Sequence, residues 1–146
     1  MKTTVRKDLI YPELSYQIIG CAFEVFNEVG GGHKESVYQK AMSIAFQKKN
    51  LKFQEQLYFP LKFKDNLVGK NFFDFNVEEK IIVELKARTR FSKADYTQVL
   101  EYLNDKKLKL SLLINFTLTE VICKRVINFA ALNSEFRNNS ISVSND

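Results

Sequence analysis

Asp74, Glu84 and Lys86 are the charged side chains whose spacing most plainly offers chemistry, and all three fall between Phe72 and Ala87. That stretch reads as two strands joined by a turn. In the second, Ile81 to Ala87, alternation puts Ile81, Val83 and Leu85 on one face and Ile82, Glu84 and Lys86 on the other. An acid and a base thus sit two residues apart on an otherwise apolar strand. Burying either alone is costly, so each needs a partner, a metal or solvent. A hairpin turn around Val77 to Lys80 could carry Asp74, on the preceding strand, alongside Glu84. Two carboxylates and a lysine at one end of a sheet can hold a Mg²⁺ and polarise a water. The same Glu-x-Lys spacing also occurs as a solvated edge pattern, so its weight depends on the residues that accompany it.

Glu35 begins a helix, where the positive end of the macrodipole favours an acid whatever else it does. His33, the single histidine, lies in a glycine-rich turn with no partner at ligand spacing and reads as a surface loop residue. On the helix that follows the Glu-Leu-Lys strand, Tyr96, Val99, Leu100 and Leu103 define an apolar stripe, with Gln98 almost opposite it and Tyr102 at its margin. An amide and a phenol facing a cleft could hold a phosphate or a metal-bound water. A simply solvated Gln98 is the plainer alternative.

The elements that must position these groups follow from periodicity. Leu14, Ile18, Cys21, Ala22, Val25 and Val29 recur at helical spacing from Pro12 to Val29, and Ile19, Phe23 and Phe26 widen that face enough to predict cover on more than one side. Gly30, Gly31 and Gly32 end this helix. A second runs from about Lys34 to Asn50 with Val37, Ala41, Ile44 and Ala45 as its stripe, adjoined by Tyr38 and Met42. Strands are predicted over Leu51 to Phe63, with Pro60 at a bend or edge, then Val68 to Asn76 and Ile81 to Ala87, forming an antiparallel meander. Ser92 with Asp95 makes a capping box for a helix from about Lys93 to Lys106. Leu110 to Phe116 has the unbroken apolar text of a strand buried on both faces, and Val121 to Phe129 reads as a last strand. The result is α/β with a mixed sheet flanked by helices.

A chain of 146 residues, 45% hydrophobic and 27% charged, suits one domain with a sizeable core and argues against wholesale disorder. The expected division is a domain over 1–132 and a polar, flexible tail over 133–146. The balance of 22 Lys+Arg over 17 Asp+Glu gives +5, which permits a polyanionic partner without demanding one. Lys106, Lys107 and Lys109 are the clustered cations that would meet it. Cys21 and Cys123 form neither a disulfide framework nor a metal spacing, and read as buried thiols in a reducing compartment. With no signal peptide and no apolar run of bilayer length, the expected location is cytoplasmic, without a membrane partner. Walker, dinucleotide, zinc and glycine-elbow motifs are missing from the sequence.

Taken together, the motifs resemble a known family. Gly32-His33-Lys34-Glu35-Ser36-Val37-Tyr38 fits the Gly-x-x-Glu-x-x-Tyr signature of the GxxExxY proteins. Asp74, Glu84-Leu85-Lys86 and Gln98-Val99-Leu100-Glu101-Tyr102 resemble the Asp, Glu-x-Lys and Gln-x-x-x-Tyr elements of the PD-(D/E)XK nuclease superfamily, and Leu110 to Phe116 is similar to the family's Leu-Leu-x-Asn-Phe strand. The resemblance spans about Leu9 to Phe129 and implies a single-domain, restriction-endonuclease-like core. It implies Glu35, Asp74 and Glu84 as carboxylates for Mg²⁺ or Mn²⁺, Lys86 as the group that orients or polarises water, Gln98 as an assistant, and Tyr38 and Tyr102 as supporting residues. Two departures stand out. Phe72 replaces an arginine often found two positions before the Asp, and Thr117 replaces a glycine after Asn115-Phe116, yet neither removes a metal ligand.

The implied activity is hydrolysis of phosphodiester bonds, of DNA in the first place, with RNA as the second candidate. A non-catalytic nucleic-acid-binding or protein-interaction module on the same fold is the alternative. A homodimer is the arrangement by which so short a core could embrace duplex DNA, although no heptad or symmetric interface is legible.

Overall fold

The computed structural model describes residues 10–88 and 90–133. The tail expected over 133–146 therefore lies outside the described residues except for Asn133. Eight elements follow one another: α1 Pro12–Val29, α2 Glu35–Lys48, β1 Phe53–Phe63, β2 Asn66–Val77, β3 Ile81–Lys86, α3 Lys93–Lys106, β4 Leu110–Phe116 and β5 Val121–Ile127. Pro12 opens α1, where a missing N–H is harmless, and Gly30, at φ 75°, closes it by donating its N–H to the Phe26 carbonyl. The capping box at α3 is present: Asp95 N–H donates to Ser92 Oγ at 3.1 Å and Ser92 N–H to Asp95 Oδ2 at 2.7 Å.

The sheet runs β1-β2-β3-β4-β5, with the expected antiparallel meander over β1 to β3. β3 and β4 pair in parallel, which requires a crossover that α3 supplies, and β5 folds back antiparallel on β4. Lys64 and Asp65 between β1 and β2, and Glu78 and Glu79 between β2 and β3, all have positive φ. Such left-handed backbone conformations suit tight hairpin turns, whose twist then matches the right-handed twist of the strands. β1 is an edge strand, as Pro60 suggested.

The two faces of the sheet hold separate cores. On one, Ile81, Val83, Leu85, Leu110, Leu112 and Ile114 pack with α1 and α2. On the other, Ile82, Leu113 and Val126 pack with Val99, Tyr102 and Leu103 of α3. Every residue of β4 is buried, as its apolar text predicted. Each fully buried aliphatic or aromatic side chain contributes about 1.5–3 kcal/mol. Arg125 of β5 anchors the start of α1, donating to the Ile10 carbonyl at 2.9 Å and to Ser15 Oγ at 3.2 Å.

The helix phases differ from expectation. α2 buries Tyr38, Met42, Ala45 and Phe46, while Val37 and Ile44 are exposed, a rotation of about one residue. Two apolar arcs lie side by side on this helix, and the arc carrying the two large rings wins because those rings remove most area from water. α1 leaves Phe23 and Val29 exposed, so its cover is narrower than predicted. In α3, Leu100 is exposed and Tyr102 lies 5% exposed in the core, so the buried arc centres on Val99 and Tyr102. β5 ends at Ile127 rather than Phe129, and 129–133 forms a short helical turn.

Candidate active site

The β2–β3 ladder pairs Val77 with Ile81, Asn76 with Ile82 and Phe75 with Val83, and then stops. At the next position two carboxylates take the place of backbone partners. Asp74 N–H donates to Glu84 Oε1 at 3.1 Å, and Leu85 N–H donates to Asp74 Oδ2 at 2.7 Å. Beyond this point β2 remains paired with β1, and β3 with β4. A crevice therefore opens between β2 and β3 with Asp74 and Glu84 at its apex. Across from Asp74, Gln56 of β1 adopts φ 53° and drops out of the pairing register. This twist turns the strand over. Phe75 and Val77 pack on the α1–α2 side, whereas Phe73, of the same parity, packs on Tyr102 of α3 with ring centroids 4.8 Å apart.

Electrostatics at the apex are severe. Burial first, then the charge of Asp74 beside it, pushes the Glu84 carboxyl up to about 9. Asp74 is also raised, by burial and in lesser part by the charge of Glu35, against the lowering effect of the Leu85 N–H bond and of Lys86. Two acidic groups in one low-dielectric site cannot both ionise without a cation. Lys86 Nζ stands 3.7 Å from Glu84 Oε2, but also 3.8 Å from Asp95 Oδ1, so its charge is divided.

Glu35 starts α2 and is exposed; its field reaches Asp74. The preceding glycines fix where α2 begins. A Cβ on Gly31 would collide with the Leu118 carbonyl of the β4–β5 turn, so only glycine lets this loop dock there. Tyr38, fully buried, donates its hydroxyl to the Gly30 carbonyl at 2.8 Å and stacks on Phe116 at 4.2 Å. It pins the loop that carries His33 and Glu35. His33 is exposed, and one ring nitrogen lies 2.7 Å from the Val29 carbonyl oxygen.

Gln98 and Tyr102 are placed differently from one another. Gln98 faces the sheet: its Oε1 accepts from Asn71 Nδ2 at 2.7 Å and so ties α3 to β2 above the crevice. Tyr102 is a core side chain, its ring between Phe59 and Phe73 and its pKa raised by burial first and by Asp105 second. Asp95 was expected only as a cap. It also braces Lys86 and lies 3.6 Å from the Arg88 guanidinium. The signal was in the spacing, because Asp95, Gln98 and Tyr102 share one side of a helix. Asn115, beside Lys86 in register, is a second such residue: its Oδ1 accepts the Arg88 N–H at 3.0 Å, while its buried Nδ2 has no partner among the described residues.

Among the described residues no three acidic, histidine or cysteine side chains are gathered closely enough to hold a metal unaided. Two facing carboxylates, Glu84 buried and Asp74 half-buried, short of countercharge, are nevertheless an oxygen donor set that suits a hard cation, because Mg²⁺ is commonly held by one or two carboxylates and completes its shell with water and phosphate. No described helix is long and apolar enough to cross a membrane. No curated protein and no solved structure gives a significant match to the chain. A family comparison does, over residues 12–126, the span that holds the split strands, the acidic pair and Lys86, and it establishes that the chain belongs to the PD-(D/E)XK nuclease superfamily.

Proposed function

We propose that this protein is a metal-dependent nuclease that hydrolyses phosphodiester bonds, of DNA in preference to RNA, and that it belongs to the GxxExxY branch of its superfamily. The observation that carries this reading is the Asp74–Glu84 pair, largely withdrawn from water, undercompensated and exchanging bonds with the opposite strand where β2 and β3 part. Asp74 and Glu84 would hold Mg²⁺ or Mn²⁺, with Glu35 contributing from the start of α2. Such an ion, when bound, neutralises phosphate charge and lowers the pKa of a bound water. Lys86 supplies a fixed positive charge toward the attacking water and the charge that develops on the phosphate. Asp95 holds that ammonium from the helix side. The Asn71–Gln98 bond sets how far α3 and β2 stand apart at the mouth of the crevice.

The test is incubation of the purified protein with linear, circular and branched DNA and with RNA, in Mg²⁺ or Mn²⁺. Strand scission should appear in the DNA samples and vanish with chelator and in Glu84→Ala. Intact substrates in every metal condition would remove the catalytic reading.

A further inference from the structure

The chain between β3 and α3 carries cations that the chemistry above leaves without a task. Arg88, Arg90 and Lys93, with Phe91 and Ser92, line a cavity of about 670 Å³. It adjoins the reaction centre through one carboxylate: Asp95 Oδ2 lies 3.6 Å from the Arg88 guanidinium, and Asp95 Oδ1 lies 3.8 Å from Lys86 Nζ. Both anchors are fixed. Asp95 is locked by the capping box, and the Arg88 backbone is held by Asn115. One carboxylate cannot neutralise three cations, and among the described residues no carboxylate lies within ion-pair distance of Arg90 or Lys93.

By contrast, the lysines expected from the sequence to meet a polyanion lie at the far end of α3. Lys106 is 3.7 Å from Asp105 and covers the Tyr102 ring, and Lys109 covers the ring of Tyr11. An uncompensated cationic cavity beside a phosphodiester centre suits backbone phosphate, whose charge repeats along the strand and whose oxygens match the arginine fork.

We propose that the β3–α3 connection is a backbone clamp in which Arg88, Arg90 and Lys93 grip DNA phosphate adjacent to the scissile one, so that the strand leaves the Asp74–Glu84 pair past Lys86 and over the start of α3. The clamp rests on the nuclease reading and adds the side of the site on which the strand runs. It reads no bases, so it binds irrespective of sequence.

The experiment is fluorescence anisotropy of a short labelled DNA in EDTA, where binding is measured without cleavage, over a series of salt concentrations. The double variant Arg90→Gln/Lys93→Gln should bind about tenfold or more weakly, and its slope of log affinity against log salt should fall by about two. The control Lys106→Gln/Lys107→Gln removes equal charge and should stay within about twofold of the parent. Parental affinity and slope in the clamp variant would overturn the clamp alone. Equal weakening in both variants would also overturn it, since net charge would then be the whole effect. If the parent protein shows no salt-dependent binding in EDTA, the clamp falls, while the nuclease reading stands or falls on the cleavage test with metal.

Discussion

Below and above the Phe75–Val83 pair, the β2–β3 hairpin is built on opposite terms. Below, Val77, Ile81, Phe75 and Val83 are fully buried, their backbones joined in a regular ladder. Above, Asp74 and Glu84 stand where ladder partners should be, in surroundings that disfavour their charge. The lower half gains stability from area removed from water, and the upper half gives some of it up. A site poised for a cation is thus joined directly to fully buried, regularly paired strand, which helps keep its geometry.

Paired substitutions on the two halves should therefore move stability in opposite directions. Phe75→Ala removes a buried ring that meets Phe46 and Phe53, and should lower unfolding free energy by about 3–5 kcal/mol. Glu84→Gln keeps the shape and deletes the charge that burial first and Asp74 second disfavour, and should raise metal-free stability at pH 8 by on the order of 1–3 kcal/mol. The sign follows from linkage. A carboxyl raised from 4.5 to about 9 contributes its full stability below its ordinary value and loses it as pH climbs toward the folded one. Denaturant melts without metal should show the parent weakening from about pH 5 to pH 9 and Glu84→Gln holding flatter. Parallel pH profiles for the two proteins would mean the pair is not under strain.

Lys86 tests whether the upper half is spent on chemistry. Lys86→Met keeps the aliphatic stem and removes a charge needed mainly in the transition state, so DNA binding should survive while cleavage falls by about a hundredfold or more. A purely structural counter-ion behaves otherwise. Its loss would leave Glu84 and Asp95 without their shared cation and lower the melting temperature with or without metal. Cleavage and melting measured on the same variant separate the two roles.

How far the sequence foretold this division depends on the kind of signal. Alternation in β3 placed Ile81, Val83 and Leu85 opposite Ile82, Glu84 and Lys86, because a period of two leaves no second choice of face. Ser92 and Asp95 announced their cap for a similarly local reason. The phases of α2 and α3 are not legible in the sequence because each helix offers two neighbouring apolar arcs, and only the shape of the sheet decides between them. The twist at Gln56 was invisible. Glutamine carries no mark of a left-handed backbone, and the conformation falls on β1 opposite Asp74, where the β2–β3 ladder stops. Roles that need a partner distant in sequence, such as Asn71 on Gln98 and Asn115 on Arg88, were equally out of reach.

The smallest expected effect concerns that first contact. If the Asn71–Gln98 bond holds the crevice at a set width, Gln98→Leu removes the acceptor for Asn71 Nδ2 while filling a similar volume. Losing one half-buried, neutral hydrogen bond should lower stability by only about 0.5–1.5 kcal/mol. Asn71→Leu should cost somewhat more, because Asn71 Oδ1 also accepts the Phe72 N–H at 2.9 Å. The double variant is the decisive one, since with both amides gone neither is orphaned by the other, and its destabilisation should be less than the sum of the single changes. In the cleavage assay the same cycle should show coupling, because both residues act through the spacing of α3 and β2 rather than by touching substrate. If the two substitutions add without coupling in both stability and cleavage rate, the bond is incidental, and the width of the crevice is set by the packing of Tyr102 on Phe59 and Phe73 alone.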